Sequence, residues 1–265
     1  MIEVVLRAST GLGALAFVMG TIVIALASYG LTRAIFSRRR DKGETDLANS
    51  IVVRISALHA LILALVFAQE IVNIRDISTA ASREAVLVGD TFYDLRRYDD
   101  EGTRDIRTHM AEYVRAILYD EWPRLGREKV LSEEAWASWE AAYSAILSLA
   151  PGDERQQVLK DLMVAQIREL SGLRRQRENA EVAGVHTLFL LAAVAGIVLT
   201  SAAFFTQPPN PQNIFLIASF SAYTGLVIFF IFAFADPYNP PAPVEPIGLE
   251  RIYAGEIRAL APPPD

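Results

Sequence analysis

The residues whose types could support chemistry lie on one face of an apolar stretch near residue 60. At 100° per residue, a helix here places eight residues in a stripe about 100° wide: Val52, Ile55, His59, Ile62, Leu63, Val66, Glu70 and Asn73. Ionisable groups in a membrane span are costly and usually face a bundle interior or a water-filled path. The stripe therefore predicts either a pore or a packed helix interface.

In the pore interpretation, Ile62, Leu63 and Val66 form an apolar gate, with polar rings of His59 and Glu70 beside it. A ring of Glu70 carboxylates would attract cations. In the alternative, His59 hydrogen-bonds to a neighbouring helix and Glu70 only marks an interface between helices.

Four stretches are apolar and long enough to cross a bilayer, which takes about 20 residues. No Asp, Glu, Lys or Arg lies between Glu181 and Asp236, and prolines divide that run near its middle. We predict membrane helices at residues 8–36, 51–73, 182–205 and 214–235, with Arg54 snorkelling to the interface. The alternative for the first stretch is a signal peptide cleaved near Ala27.

The segment between the second and third spans is charged, and its apolar residues recur at the spacing of a helix face. We predict helices over residues 74–97, 103–121, 132–149 and from 153 into the third span. The fold class is an all-α membrane protein of four transmembrane helices, with a soluble helical domain at 74–181 inserted between the second and third. A basic loop at 37–50, a Pro-rich loop at 206–213 and a Pro-rich extended tail at 236–265 complete the chain.

Several function classes receive no support from the composition. The chain has no Cys, so disulfides, thiolate metal sites and thiol catalysis are excluded. Its three His residues are far apart, which predicts no metal site. No catalytic or cofactor motif occurs, so we expect neither an enzyme nor a cofactor. The net charge of −6 with dispersed signs argues against nucleic acid as a partner.

Short motifs along most of the chain resemble the bacterial bestrophin-like membrane family. They include Arg83-Glu84, Glu121-Trp122-Pro123 and Asp236-Pro237-Tyr238. The family usually has a basic residue between that Asp and Pro, and often Phe in place of Tyr238. Glu121, Trp122, Pro123, Asp236 and Pro237 are therefore candidates for a structural or ligand-binding role, in which Glu121 caps a neighbouring helix or binds a cation.

The family is remotely similar to bestrophin anion channels. This similarity implies a pentamer in the lipid bilayer of the bacterial inner membrane, a pore lined by the second span for a permeating ion, and a cytoplasmic domain with both termini on the same side. Arg174, Arg175 and Arg177 agree with that orientation, whereas Arg38–Lys42 favour the opposite one.

The competing function is a membrane-anchored interaction or sensory protein whose helical domain binds a partner or ligand without conducting ions. Ala192 and Gly196, four residues apart, would let helices approach closely in either case.

Overall fold

The structure, a computed structural model, describes residues 10–36, 42–182 and 187–264. This part of the chain is helical and contains no strand, as the sequence predicts. Its helices are α1 (Thr10–Phe36), α2 (Lys42–Tyr98), α3 (Arg104–Ala116), α4 (Trp122–Glu128), α5 (Glu133–Ser148), α6 (Glu154–Val182), α7 (Thr187–Ala203), α8 (Pro211–Phe234), α9 (Ile247–Ile252) and α10 (Gly255–Leu260).

Four of these helices, α1, α2, α7 and α8, include stretches long and apolar enough to cross a membrane. The chain divides into two compact units. The membrane unit comprises residues 1–72 and 184–242, and the helical unit comprises residues 73–183 and 243–265. Helix α2 is continuous from one unit into the other.

In the membrane unit, α1 packs along both α7 and α8. Gly225 of α8 permits a close approach to α1, because a Cβ there would lie 2.8 Å from the carbonyl oxygen of Phe17. The Thr21 hydroxyl donates to the Ser221 carbonyl at 2.9 Å, so it is satisfied within the bundle. At the end of α1, Arg33 donates to the Phe205 carbonyl at 3.2 Å, where a cation favourably meets the C-terminal end of α7.

A tight turn joins α7 and α8. The Asn210 side chain caps α8 by accepting the backbone N–H of Asn213 at 2.8 Å, and Pro211 occupies the first turn, where its missing N–H costs nothing. The helix therefore begins before residue 214, the predicted start.

The helical unit has its own hydrophobic core, formed by the second half of α2 with α3, α5, α6, α9 and α10. Ser132 caps α5, accepting the N–H of Ala135 at 3.2 Å. Thr103 stands at the N-cap of α3, but its hydroxyl donates instead to the Leu95 carbonyl at 2.8 Å. It therefore ties the loop before α3 to the end of α2.

Three expected features differ in the structure. The helix predicted to end at residue 121 does not end there, because a π-helical turn, Ile117–Glu121, leads directly into α4. Helix α2 begins at Lys42, so residues 42–50 of the predicted loop are helical, and 37–41 lie outside the described residues.

The tail is not extended throughout, because α9 and α10 form within it. Leu249, Tyr253, Ile257 and Ala261 recur every four residues and are buried in the core of the helical unit. This periodicity, which the abundance of proline obscured, explains why the tail folds there.

Candidate functional site

Within its membrane span, α2 turns its polar stripe toward the interior of the membrane unit. Of the residues predicted to face a pore, His59, Leu63 and Glu70 are buried, and Ile55, Val66 and Asn73 are half-buried. Ile62 is the most exposed of the seven, at 40%. Glu70 and Asn73 both have interaction partners. This burial favours the interpretation of the stripe as a packing surface.

Gly196 of α7 explains why His59 can be buried. A Cβ at Gly196 would overlap the imidazole ring, so only glycine leaves room for this contact. Ala193 and Ile197 of α7 are also buried in the same apolar cluster as Leu63. Of the predicted small-residue pair on α7, Gly196 provides this close packing within the chain, whereas Ala192 is exposed.

Another face of α2, about one-third of a turn from this stripe, is apolar and exposed. Leu58, Leu61 and Leu65 are 62%, 55% and 62% exposed. With Arg54, which is also exposed, they follow the i, i+4, i+7, i+11 spacing of one helix face. The span is apolar on most of its circumference, so hydropathy alone does not distinguish this face in the sequence.

The helical unit contains a second candidate site, a buried cluster of two Arg and two Glu side chains. We call Glu84, Glu121, Arg174 and Arg177 the buried charge cluster; each is at most 1% exposed. Arg177 bridges the two carboxylates, donating to Glu121 at 2.6 Å and to Glu84. Arg174 donates to Glu121 and, at 3.2 Å, to the Ser132 carbonyl.

The π-helical turn positions Glu121 for these contacts. Besides the two guanidinium groups, its carboxylate accepts the backbone N–H of Ser132, the N-cap residue of α5, at 3.0 Å. A negative charge at this end of a helix is favourable. Glu121 thus joins α6 to the start of α5, which suits the structural role considered for it.

Aromatic rings surround the guanidinium groups. Arg174 lies 4.2 Å from the centroid of the Trp136 ring, and Arg177 lies 5.2 Å from that of Trp122. Such cation–π contacts are strongest where water is excluded. The Trp122 indole N–H also donates to the Val244 carbonyl at 3.0 Å, which ties the start of the tail to α4.

The cluster is electrically balanced, because its two positive and two negative groups cancel. Tyr113 donates its hydroxyl to Glu84 from α3. Burial, and then the negative charge of Glu84, raise the pKa of Tyr113 well above its usual value. The hydroxyl therefore stays protonated and remains a donor. The arrangement joins α2, α3, α5 and α6 through long-range contacts.

The remaining sequence candidates lie at element ends. Pro123 is in the first turn of α4. Asp236 accepts two hydrogen bonds from the Asn239 amide, at 2.9 and 3.1 Å, and Pro237 is buried at the start of the tail. One sequence feature indicates the cluster. Arg174 and Arg177, which also bear on the predicted orientation, are three residues apart and so share a helix face.

The fold and this site define a class: a helical membrane protein of four spans with a helical unit inserted between the second and third. A family model described as "Bestrophin-like domain" matches residues 19–249. The chain therefore belongs to the bestrophin-like family, as its motifs indicated.

Solved structures agree with this fold. A bacterial bestrophin homolog from Klebsiella pneumoniae aligns with a TM-score of 0.63 at 10% identity, over 95% of this chain and 99% of that one. A variant of the Klebsiella homolog gives 0.63 at 11% identity, over 93% and 97% of the two chains. A structure described only as a membrane protein gives 0.65 at 12%, over 93% and 96%. No curated protein sequence matches the chain.

Proposed function

We propose that this membrane protein of the bestrophin family forms a homo-oligomeric ion channel whose pore is lined by the exposed face of α2. The observation that carries the proposal is the row Arg54, Leu58, Leu61 and Leu65, which faces away from the chain's own packed bundle. A face of this kind on each copy can surround a central axis. The proposed pore face therefore lies about one-third of a turn around α2 from the stripe predicted from the sequence.

The leucines supply the gate. Rings of Leu58, Leu61 and Leu65 around a narrow axis would close the pore by excluding water, as apolar constrictions do in channels. His59 and Leu63, buried against α7, hold the helix in place instead of touching the ion.

Arg54 decides which ion is preferred. Between Leu47 and Val72 the only formally charged residues are Arg54 and Glu70. Arg54 is exposed on the leucine face, whereas Glu70 is buried and partnered within the chain. A ring of arginines at a pore attracts anions. The channel therefore conducts anions in preference to cations.

Assembly and orientation follow from the similarity to bestrophins. We assign five copies, a position in the bacterial inner membrane, and a cytoplasmic location for the helical unit and both termini. The interfacial contacts of Arg33 and Gln207 then lie at the opposite, periplasmic surface, because the α7–α8 turn is there.

The test is current through planar bilayers that contain the purified protein. In a salt gradient, the wild type should show an anion-selective reversal potential, Arg54→Gln a smaller one, and Arg54→Glu the opposite sign. Glu70→Gln is the matched control and should leave the reversal potential unchanged, because that carboxylate does not face the pore.

Two other outcomes contradict parts of the proposal. Absence of current from folded, oligomeric protein would favour the membrane-anchored interaction protein. Current that is cation-selective, or unaffected by both Arg54 substitutions, would remove Arg54 from the selectivity site. Particle images in detergent test the assembly, since a ring with a central opening is expected, and a monomer would contradict it.

A further inference from the structure

A cavity opens between α2 and α8 in the membrane unit. Its volume is about 480 Å³, which is within the range of small-molecule sites. Its floor is buried, because His59, Leu63 and Thr224 are 4%, 6% and 3% exposed. At its mouth, Ala60 and Ala64 are exposed. The cavity is therefore a recess that opens at the surface of the chain within the membrane span.

The walls of the cavity are apolar. Four aromatic residues stand at its sides: Phe67, Phe220, Tyr223 and Phe230. On α2, the small residues Ser56, Ala60 and Ala64 leave a groove about 12 Å long, since each residue of a helix rises about 1.5 Å. None of the described residues that line the cavity is Asp, Glu, Lys or Arg, so an ion would lose its hydration without gaining an opposite charge. A suitable occupant is therefore uncharged and largely apolar.

One polar group at the floor has no partner. The Nε2 atom of His59 is buried and makes no hydrogen bond with any described residue. The ring atoms nearest to a Cβ at Gly196 would be Nδ1, Cγ and Cε1, so Nε2 lies on the edge of the ring that points away from α7. The Thr224 hydroxyl, by contrast, donates to the Phe220 carbonyl at 2.9 Å. His59 is therefore the floor residue whose hydrogen bond an occupant can supply.

Neither water nor a phospholipid head group suits this position. A buried water needs two to four polar partners, and the described floor offers one that is unsatisfied. His59 lies in the uncharged stretch between Arg54 and Glu70, near the middle of the predicted span, whereas head groups begin about 15 Å from the centre of a bilayer. An acyl chain can fill the cavity, but it leaves the imidazole nitrogen without a partner.

A hydroxyl group matches the free nitrogen. It can donate or accept a hydrogen bond, so it pairs with either neutral tautomer of the imidazole. An alkyl chain attached to it can lie along the groove of small residues, against the aromatic walls. We propose that this cavity binds a lipophilic alcohol from the membrane, with its hydroxyl at Nε2 of His59. The site is separate from the proposed pore, because the leucine face of α2 does not line the cavity.

The experiment is photolabelling of the purified full-length protein in lipid nanodiscs with an octanol that carries a diazirine ring. Digestion and mass spectrometry locate the labelled residues. We expect the label to be enriched several-fold at the lining residues of α2 and α8 over the exposed Leu58, Leu61 and Leu65. Excess octan-1-ol should remove this label at a concentration roughly tenfold lower than octane does, because only the alcohol makes the buried hydrogen bond.

Three variants test the position of the ligand. Ala64→Phe should reduce the labelling several-fold, because an aromatic ring there occupies the groove. Ala57→Phe is the matched control and should be labelled as the wild type is, since Ala57 is also exposed on α2 but does not line the cavity. His59→Phe should make octan-1-ol and octane compete equally. Thermal unfolding checks the fold of each variant, and if His59→Phe is unfolded, the comparison of Ala64→Phe with Ala57→Phe still decides.

Three results would overturn the proposal. The first is a label spread evenly over the exposed surface of the spans, or unchanged in Ala64→Phe. The second is equal competition by octane and octan-1-ol in the wild type, because the occupant would then be any apolar chain. The third is absence of label from the cavity in an oligomer, which would show that a second copy covers its mouth. These outcomes are independent of whether the protein conducts ions.

Discussion

The buried charge cluster makes a quantitative prediction for Glu121→Gln. The substitution preserves the shape of the side chain but removes the carboxylate that faces Arg174 and one of the two that face Arg177. All these groups are excluded from water, so solvent cannot replace the lost charge. Breaking a buried ion pair by removing one partner costs about 3–5 kcal/mol, because the other charge stays buried. We expect a loss of this size in the free energy of unfolding of the helical unit.

The assay is thermal unfolding of the purified protein in detergent, followed by circular dichroism. At about 2–4 °C per kcal/mol for a protein of roughly this size, a loss of about 3 kcal/mol lowers the midpoint by at least about 6 °C. Glu134→Gln is the control. It breaks an exposed pair with Arg115 at 2.6 Å, and such pairs contribute about 0–1 kcal/mol.

A compensating substitution sharpens the test. Glu121→Gln combined with Arg174→Met restores electrical balance, leaving Glu84 opposite Arg177, and keeps an apolar side chain against Trp136. The double variant should be less destabilised than the sum of its single variants, because the two sites are coupled. If Glu121→Gln and the surface control Glu134→Gln lower the unfolding midpoint by equally small amounts, the buried charge cluster does not stabilise the helical unit as argued here.

Three further predictions concern other contacts. Folding raises the pKa of Tyr113, so its stabilising contribution is complete below pH about 10 and is lost as the pH rises toward the pKa in the folded state. Tyr113→Phe should therefore reduce the decline of the unfolding free energy at alkaline pH by up to about 1.4 kcal/mol per pH unit. Gly196→Leu should lower the unfolding midpoint because its side chain overlaps His59, whereas Gly20→Leu, with open space around it, should not. Gly248→Val should detach the tail, because a Cβ there would lie 2.9 Å from that of Ala85, and limited proteolysis should then cleave the tail sooner than in the wild type.

The sequence predicted the helical class and the helices of the inserted unit closely. Helices α3, α5 and α6 begin within one residue of the positions predicted from the sequence. These features are local, because a cap or a helix face involves residues within a few positions of each other. The same reasoning failed for the proline-rich tail, where α9 and α10 form because the core of the unit buries their apolar side.

The candidate sites depended more on packing. The sequence predicts that His59 and Glu70 share one face of α2 and leaves open whether that face meets water or protein. In the structure both side chains are buried, and burial of His59 depends on Gly196, distant in sequence, whose lack of a side chain admits the imidazole ring. Likewise, Glu121 and Arg174 are 53 residues apart, so no local pattern pairs them.

The sequence by itself determined that four stretches suit a membrane, that a charged helical unit is inserted between two of them, and that the chain resembles bestrophin-like proteins. Length, hydropathy and motif are properties of the chain alone, so they can be read without a fold. Tertiary structure decided which faces of α2 are exposed and which charges meet in the core. Both features depend on contacts between helices that meet only after folding. The missing Cβ of Gly196 makes room for His59, and the buried carboxylate of Glu121 binds Arg174 and Arg177.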